Sequence, residues 1–447
     1  MKYLNEIFTD VKKSNFNSAV IWKNQVFCYS HLFDRIAFWR EELKHIPSKS
    51  IVGLESDFSP ETISILLTLI DKEVIIVPLD ISQCEKNFDK LNISQMDFII
   101  KIEDETNIIL SSTKNSNIKN TLYEKVFNSN NPGLVLFTSG SSGKPKAALH
   151  DLSKLLFKFK QKRSPLVTIN FLLFDHWGGL NTLFHVLSNN GTLVLLENRN
   201  PIYVCSLIEK FKVELLPTSP TFLNLMLISK AYEVHSIRTL KVITYGSEPM
   251  PENVLNKLNR IFPEIKLQQT YGLIELGVMS SKSKDNESLW VKIGGQGYQV
   301  RVVNGMLEIK SDSAMIGYLN APSPYTSDGW FITGDMVEVD GDYYKILGRK
   351  SELINVGGEK VYPQEIENII LTINNVLDVE VYGEKHSFTG NIVCAKIYHD
   401  GNCNVDDLRK SIKSICKANL ASFKVPVKIV FTTTRLFSNR FKKQRTL

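Results

Sequence analysis

The chain has no apolar run long enough to span a bilayer. The best, such as Ile63 to Ile70, stop at strand or helix length, well short of the roughly 18 residues a spanning helix needs, so no membrane span is expected. The six cysteines (Cys28, Cys84, Cys205, Cys394, Cys403 and Cys416) are scattered and show no C-x-x-C spacing. A reduced, cytoplasmic setting is therefore expected. The first residues, MKYLNEIFTDVKK, carry charge early and lack the apolar core of a signal peptide. Lysines and arginines do not gather into a stripe interleaved with aromatics, and a net charge of +6 over 447 residues is modest. Nucleic-acid binding is not expected, whereas an anionic small molecule or an acidic partner fits. No internal repeat or low-complexity tract is present.

What is there is the balance of a globular protein, 43% hydrophobic and 22% charged. The length implies two or three domains. Residues up to about 130 read as mixed helix and strand, with Val74–Leu79 continuously apolar, as in a strand covered on both faces. The stretch from Glu103 to Asn131 is polar and asparagine-rich, and its outer part is expected to be loop. From Leu134 to Arg349, apolar runs such as LVLF, FLLF, TLVLL, ELLPT and KVITYG alternate with helical periodicity, which predicts layered α/β structure with largely parallel sheets. Met336–Ile346 alternates around Asp340-Gly341, a hairpin signal. Beyond it come Gly357-Gly358 and a helix opened by Pro363 with Glu365 and Glu367 in its first turns. The predicted architecture is α/β: a large N-terminal domain of layered sheets over residues 1–349, and a small α+β C-terminal domain over 350–447.

The most informative segment runs from Leu134 to His150, LVLFTSGSSGKPKAALH. An apolar strand enters a loop of glycines, hydroxyls and lysines. Gly140 and Gly143 allow close backbone approach to a ligand. Thr138, Ser139, Ser141 and Ser142 offer hydroxyls and an amide nest for an anion, and Lys144 and Lys146 add charge. The Walker pattern is excluded, because Thr138 stands where it needs glycine and Pro145 where it needs serine or threonine.

This loop resembles the signature loop of the acyl-adenylate-forming superfamily, which includes acyl-CoA synthetases, firefly luciferase and the adenylation domains of peptide synthetases. Further segments resemble that family's motifs in the same order. Tyr245-Gly-Ser-Glu-Pro249 is similar to the strand-end loop along the adenine and acyl pocket, which implies contacts from Gly246, Ser247 and Glu248. Gln269–Glu275, QTYGLIE, resembles the motif whose tyrosine packs on adenine and whose glutamate holds magnesium. By that resemblance Thr270, Tyr271 and Gly272 contact the nucleotide, and Glu275 with Thr138 holds Mg2+. Ile274 stands where the family usually has threonine, and read alone Glu275 suits a helix start. Leu307–Asp312 and Gly317–Asn320 resemble a structural motif. Gly329–Asp335, GWFITGD, and Leu347–Pro363 form the most specific match. They imply that Asp335 accepts from the ribose hydroxyls, which a two-oxygen carboxylate suits, and that Arg349 lies near ribose and phosphate. The tail Ser438–Arg445 resembles the motif of the catalytic lysine, read as Lys442 from its spacing to Arg445. Phe441 replaces the usual glycine, so Lys443 competes, and a basic frayed end is the plain alternative. The resemblance further implies a mobile small domain hinged at Ser351, with Gly357 and Gly358 beside the incoming thiol arm.

Leu172–Thr182, LLFDHWGGLNT, bears on the substrate. Registered on His176, it resembles the aryl- and acyl-CoA ligase pattern, with His176 gating a pocket formed with Trp177, Gly246 and Thr270. Trp177 then stands where amino-acid-activating relatives place an aspartate. A shifted register gives that place to Asp175, and His176 also reads as a core histidine. Thr270 narrows the pocket floor against very long chains. The expected activity is therefore ATP-dependent activation of an aryl or short to medium acyl acid, followed by transfer to CoA or a phosphopantetheine thiol. With no carrier segment after Lys442, a carrier protein is expected to act in trans. An amino-acid adenylation enzyme, a non-catalytic nucleotide-binding relative and an unrelated phosphate-binding enzyme remain as alternatives.

Overall fold

A helix without an exposed face organises the first layer. Every residue from Pro60 to Ile70 in the helix Pro60–Asp71 is buried, and each aliphatic side chain contributes about 1.5–3 kcal/mol by leaving water. Ser59 caps it by accepting from the Thr62 amide at 3.1 Å, and Pro60 fills the first helical position. Its polar residues are matched inside: Ser64 and Thr68 hydroxyls donate to the Pro60 and Ser64 carbonyls, and Glu61 accepts from Arg35 and Trp39. The apolar run Ile63–Ile70 is thus helix, pressed between a sheet and the helix Tyr29–Glu42.

The computed structural model describes residues 3, 8, 16–104, 106–113, 119–138, 144–401 and 403–437, and the side chains of 84–86 are left aside. The first sheet has seven strands in the order Gly317–Tyr318, Lys146–Asp151, Gly133–Thr138, Ile75–Asp80, Ile51–Ser56, Phe98–Ile102 and Ile108–Ser112. Ile75–Asp80 lies at its centre, parallel to both neighbours, which accounts for its unbroken apolar run. The polar stretch 103–131 carries more structure than loop: the strand Ile108–Ser112 and the helix Leu122–Phe127. The strand pairs antiparallel with Phe98–Ile102 as an edge, where a mixed polar sequence is tolerated.

A second seven-stranded sheet runs Lys266–Gln269, Val242–Tyr245, Leu215–Thr218, Val167–Ile169, Thr192–Val194, Ser18–Trp22 and Gln25–Cys28, parallel except for its last hairpin. The expectation of largely parallel sheets up to Arg349 fails beyond Gly272. There, six strands from Ser280 to Arg349 form a wholly antiparallel sheet. Several of its links are too short for a parallel crossover; Asn304-Gly305, both at positive φ, turns one hairpin in two residues. The hairpin expected around Asp340-Gly341 forms one residue later: Asp340 pairs with Tyr343, and Gly341, φ +57°, takes the first turn position.

After Arg349 a short 3-10 turn, Lys350–Glu352, leads to the hairpin Ile354–Val356/Glu359–Val361 and the helix Pro363–Ile370. The smaller C-terminal domain builds its own core from Ile366, Val379, Ile397, Leu408 and Ile412, around a three-stranded sheet and the helix Val405–Asn419. Two asparagines of the large domain reach it: Asn224 donates to the Leu377 carbonyl at 2.9 Å and Asn253 to that of Leu371 at 2.8 Å. No helix among the described residues is long and apolar enough to cross a membrane.

Candidate active site

A cleft of about 2040 Å³ opens between the two domains at the carboxyl ends of the parallel strands. Strand order sets this location, since the loops leaving those ends converge where the sheets meet. Thr138 and Lys146 face each other across the first sheet's hairpin mouth, in register, and both line the cleft. Ser139, Gly140, Ser141, Ser142 and Gly143, between them, lie outside the described residues, as does Lys442. Asn320 clasps the loop's outgoing leg, its amide donating to the Pro145 carbonyl and its carbonyl accepting from the Ala147 amide, each at 2.9 Å.

Gly246, Ser247 and Glu248 leave the strand Val242–Tyr245 and line the cleft beside Thr270, Tyr271 and Gly272. Thr270 is tied to the neighbouring strand, its amide and hydroxyl both donating to the Tyr245 carbonyl. A Cβ on Gly246 would come within 2.5 Å of the Thr270 hydroxyl, so only glycine fits against this floor. Ser247 sits at φ +72°, a left-handed backbone uncommon for serine. Glu248 anchors the loop by accepting from the Thr221 amide at 2.7 Å, in the first turn of the helix Pro220–Ser229.

The next group comes from the antiparallel sheet. Asp335 pairs directly with Arg349 in the strand register, and the Arg349 Nε lies 2.6 Å from one Asp335 oxygen. The Tyr271 hydroxyl donates to the other oxygen. Thr333 accepts from the Asp335 amide at 3.0 Å, and Arg349 also donates to the Thr333 carbonyl. Burial pushes the Asp335 carboxyl above its ordinary range against the pull of Arg349, and burial with the adjacent carboxylate raises the Tyr271 hydroxyl.

Glu275 lies at the turn of a small hairpin, Gly272–Leu273/Gly277–Val278, and not at a helix start as its sequence alone suggested. The Tyr318 hydroxyl donates to its Oε1 at 2.5 Å, and Lys146 places its ammonium 5.5 Å from the Tyr318 ring centre. Tyr318 belongs to a segment read as merely structural. Its antiparallel pairing with the loop's outgoing strand is what brings it here.

On the opposite wall, His176 caps the helix Trp177–Ser188, its Nδ1 accepting from the Gly178 amide at 3.0 Å. In the neutral ring the proton therefore sits on Nε2. His176 is half-buried and lines the cleft, so the core-histidine alternative does not hold. Trp177 is buried against the same wall. A Cβ at Gly179 would strike the Leu173 carbonyl, which explains why a glycine follows Trp177-Gly178. Asp175, the alternative anchor, does not line the cleft, and a lysine already faces its carboxylate. Ser351 lines the cleft, whereas Gly357 and Gly358, at φ +61° and +95° in the small domain's hairpin turn, do not.

The family model of the AMP-binding enzymes matches residues 50–316, and that of the AMP-binding enzyme C-terminal domain matches 365–443. The chain belongs to the AMP-binding enzyme family. Among its relatives, an indoleacetate–CoA ligase of Aromatoleum aromaticum is 28% identical over 67% of this chain and 63% of its own length. An uncharacterized acyl–CoA ligase, YhfT, of Bacillus subtilis is 25% identical over 79% of the chain and 78% of its own length. The chain thus spans less than two thirds of the first of these. In fold it is similar to the anthranilate CoA ligase AuaEII in complex with anthranoyl-AMP, with a TM-score of 0.84 at 17% identity over 99% of this chain and 95% of that one. ATP-bound MatB from Rhodopseudomonas palustris superposes with a TM-score of 0.81 at 20% identity, over 97% and 95% of the two chains. Each likeness spans nearly the whole of this chain, so it extends over both the large N-terminal part and the smaller C-terminal part.

Proposed function

We propose that this AMP-binding enzyme joins a carboxylic acid to ATP as an acyl-adenylate and then passes the acyl group to a thiol. The observation that carries the reading is the Tyr271–Asp335–Arg349 group, a buried carboxylate beside a guanidinium, in one cleft with Thr138, Lys146 and the His176–Trp177 wall. Asp335 accepts from the ribose diol, and Arg349 lies between ribose and phosphate. In the first step a carboxylate oxygen attacks the α-phosphorus, the bond to the β-phosphate breaks, and pyrophosphate leaves with the electron pair. Two anions must meet, so positive charge is needed where negative charge gathers. Lys146 and the loop 139–143 hold the β- and γ-phosphates, and Lys442 bridges the carboxylate and the α-phosphate. Glu275 and Thr138 are hard oxygen donors of the kind magnesium takes, and Tyr318 orients the glutamate. Magnesium held there would supply positive charge against the phosphates.

In the second step a thiol sulfur attacks the acyl carbon and AMP leaves, the thiol proton going to solvent. The boundary lies at 349/350, with the small domain turning about Ser351 between the steps to exchange Lys442 for Gly357-Gly358. The acceptor is CoA or a carrier-protein phosphopantetheine. The acid is aryl or short to medium acyl. Support comes from the buried Trp177 wall, the Thr270 floor and relatives named for indoleacetate and anthranilate. The pairing of Asp175 with a lysine counts against an amino acid. The test is exchange of labelled pyrophosphate into ATP, dependent on a carboxylic acid and independent of thiol. Exchange with an aryl or acyl acid is expected. No exchange across aryl, fatty and amino acids, while ATP still binds, would mean a non-catalytic nucleotide-binding relative.

A further inference from the structure

Three potential metal ligands gather in the small domain, and none has a task in the mechanism above. His399 ends the strand Gly390–His399, and Asp400 and Cys403 follow it in the run HDGNC, just before Asn404 caps the helix Val405–Asn419. One imidazole nitrogen, one carboxylate oxygen and the thiol sulfur lie within 4.8 Å of one another, the one such convergence of three found among the described residues. The His399 Nδ1 is 3.8 Å from the Cys403 sulfur. A tetrahedral zinc, with bonds of about 2.1 Å to nitrogen and about 2.3 Å to sulfur, holds two such atoms about 3.6 Å apart. The pair already stands near ligand spacing. The Gly401 amide donates to the same Nδ1 at 3.2 Å, so the neutral ring carries its proton on Nε2 and turns the Nδ1 lone pair into the cluster. Gly401 is exposed, and its amide can turn to water once a cation takes that lone pair. Asp400 is exposed too, and a carboxylate accepts at two oxygens, so it can give one to a cation and keep the other for a second contact. Cys403 is a thiol outside any disulfide.

We propose that His399, Asp400 and Cys403 bind a thiophilic divalent cation of the zinc and cobalt class, at a site distinct from the magnesium ligands of the cleft. Imidazole and thiolate are softer donors than the oxygens magnesium takes, which sets the class of ion. Three protein ligands leave the fourth corner of a tetrahedron to water. On binding, the S–H bond breaks, a sulfur–metal bond forms and the proton goes to solvent, with no change of oxidation state. The cation clips the end of the strand to the start of the helix, the elements that supply Ile397 and Leu408 to the small domain's core. His399 also pairs with Val376, one residue before the Leu377 carbonyl that Asn224 of the large domain reaches. The clip therefore braces the segment on which the two domains touch.

The test uses the full, untagged chain, stripped with a chelator and offered zinc, cobalt(II) or magnesium without nucleotide, so it stands apart from any turnover. About one zinc per chain should remain bound through gel filtration in excess magnesium, and cobalt(II) should give a sulfur-to-metal charge-transfer band. Cys403→Ser should abolish the band and weaken zinc binding by at least about tenfold, the scale on which altered metal shells act. Asp400→Asn, an exposed change that leaves the core alone, should weaken zinc by a similar factor and keep the band. Cys28→Ser, in the large domain, should leave both as they were. No stoichiometric zinc, zinc displaced by magnesium, or a band that survives Cys403→Ser would overturn the site. Absence of pyrophosphate exchange would bear on the proposed function and leave this result untouched.

Discussion

Asp335 and Asp175 are both buried beside one cleft, yet they are held in different ways. Asp335 sits in an antiparallel hairpin where strand register sets Arg349 opposite it, and Tyr271 closes the other oxygen. Asp175 sits in a connection before a helix, and its cation arrives from a helix of the other sheet's layer at 3.7 Å. At the proposed nucleotide end the carboxylate is thus held by hydrogen bonds and strand register, whereas Asp175, beside the proposed acid wall, is held by charge between segments distant in sequence.

The largest test of the contrast is a residue that must act on both ends. Lys442→Ala should lower pyrophosphate exchange by roughly two to three decades, the size of a lost transition-state charge contact, while transfer from preformed adenylate to thiol persists. Lys443→Ala should do far less; equal mild losses would reduce the tail to a solvated basic end. Next, Asp335→Ala should raise the KM for ATP about ten- to hundredfold, as expected for lost hydrogen bonds to a charged group, and leave the order of preferred acids as it was. A changed acid order would show that the two ends are not separate.

A smaller effect, on timing, is expected from Ser351→Pro. Fixing φ near roughly −65° at the joint should leave exchange largely intact and slow thioester formation. Normal thioester formation with lost exchange would contradict rotation about Ser351. Smallest is Tyr318→Phe, which removes one hydrogen bond from Glu275. It should raise the magnesium needed for half-maximal exchange several-fold, and an unchanged requirement would free Glu275 from Tyr318.

The same contrast explains what was legible in the sequence. Thr138, Tyr271, Asp335 and Arg349 stand in short contiguous motifs, each beside the glycine or strand that positions it. The central strand Ile75–Asp80 and the Pro363 helix were legible because burial on both faces and a proline at a first turn leave local marks. The contact of Lys90 with Asp175 left none, since the two lie far apart along the chain and a lone lysine on a polar helix looks solvated. Tyr318 and Asn320 were hidden for the same reason: their work depends on strand pairing with Lys146–Asp151. The antiparallel sheet was missed because apolar runs alone do not report strand direction. The Gly341-Asp342 turn was displaced by one residue because Asp-Gly and Gly-Asp both favour hairpins.

The central claim is that the acid's own oxygen becomes bonded to the α-phosphorus. It is tested most directly with an acid carrying 18O in both carboxyl positions, turned over with ATP and a thiol. The account predicts one labelled oxygen in AMP and one in the thioester. Unlabelled AMP, or ADP with the label in inorganic phosphate, would contradict it.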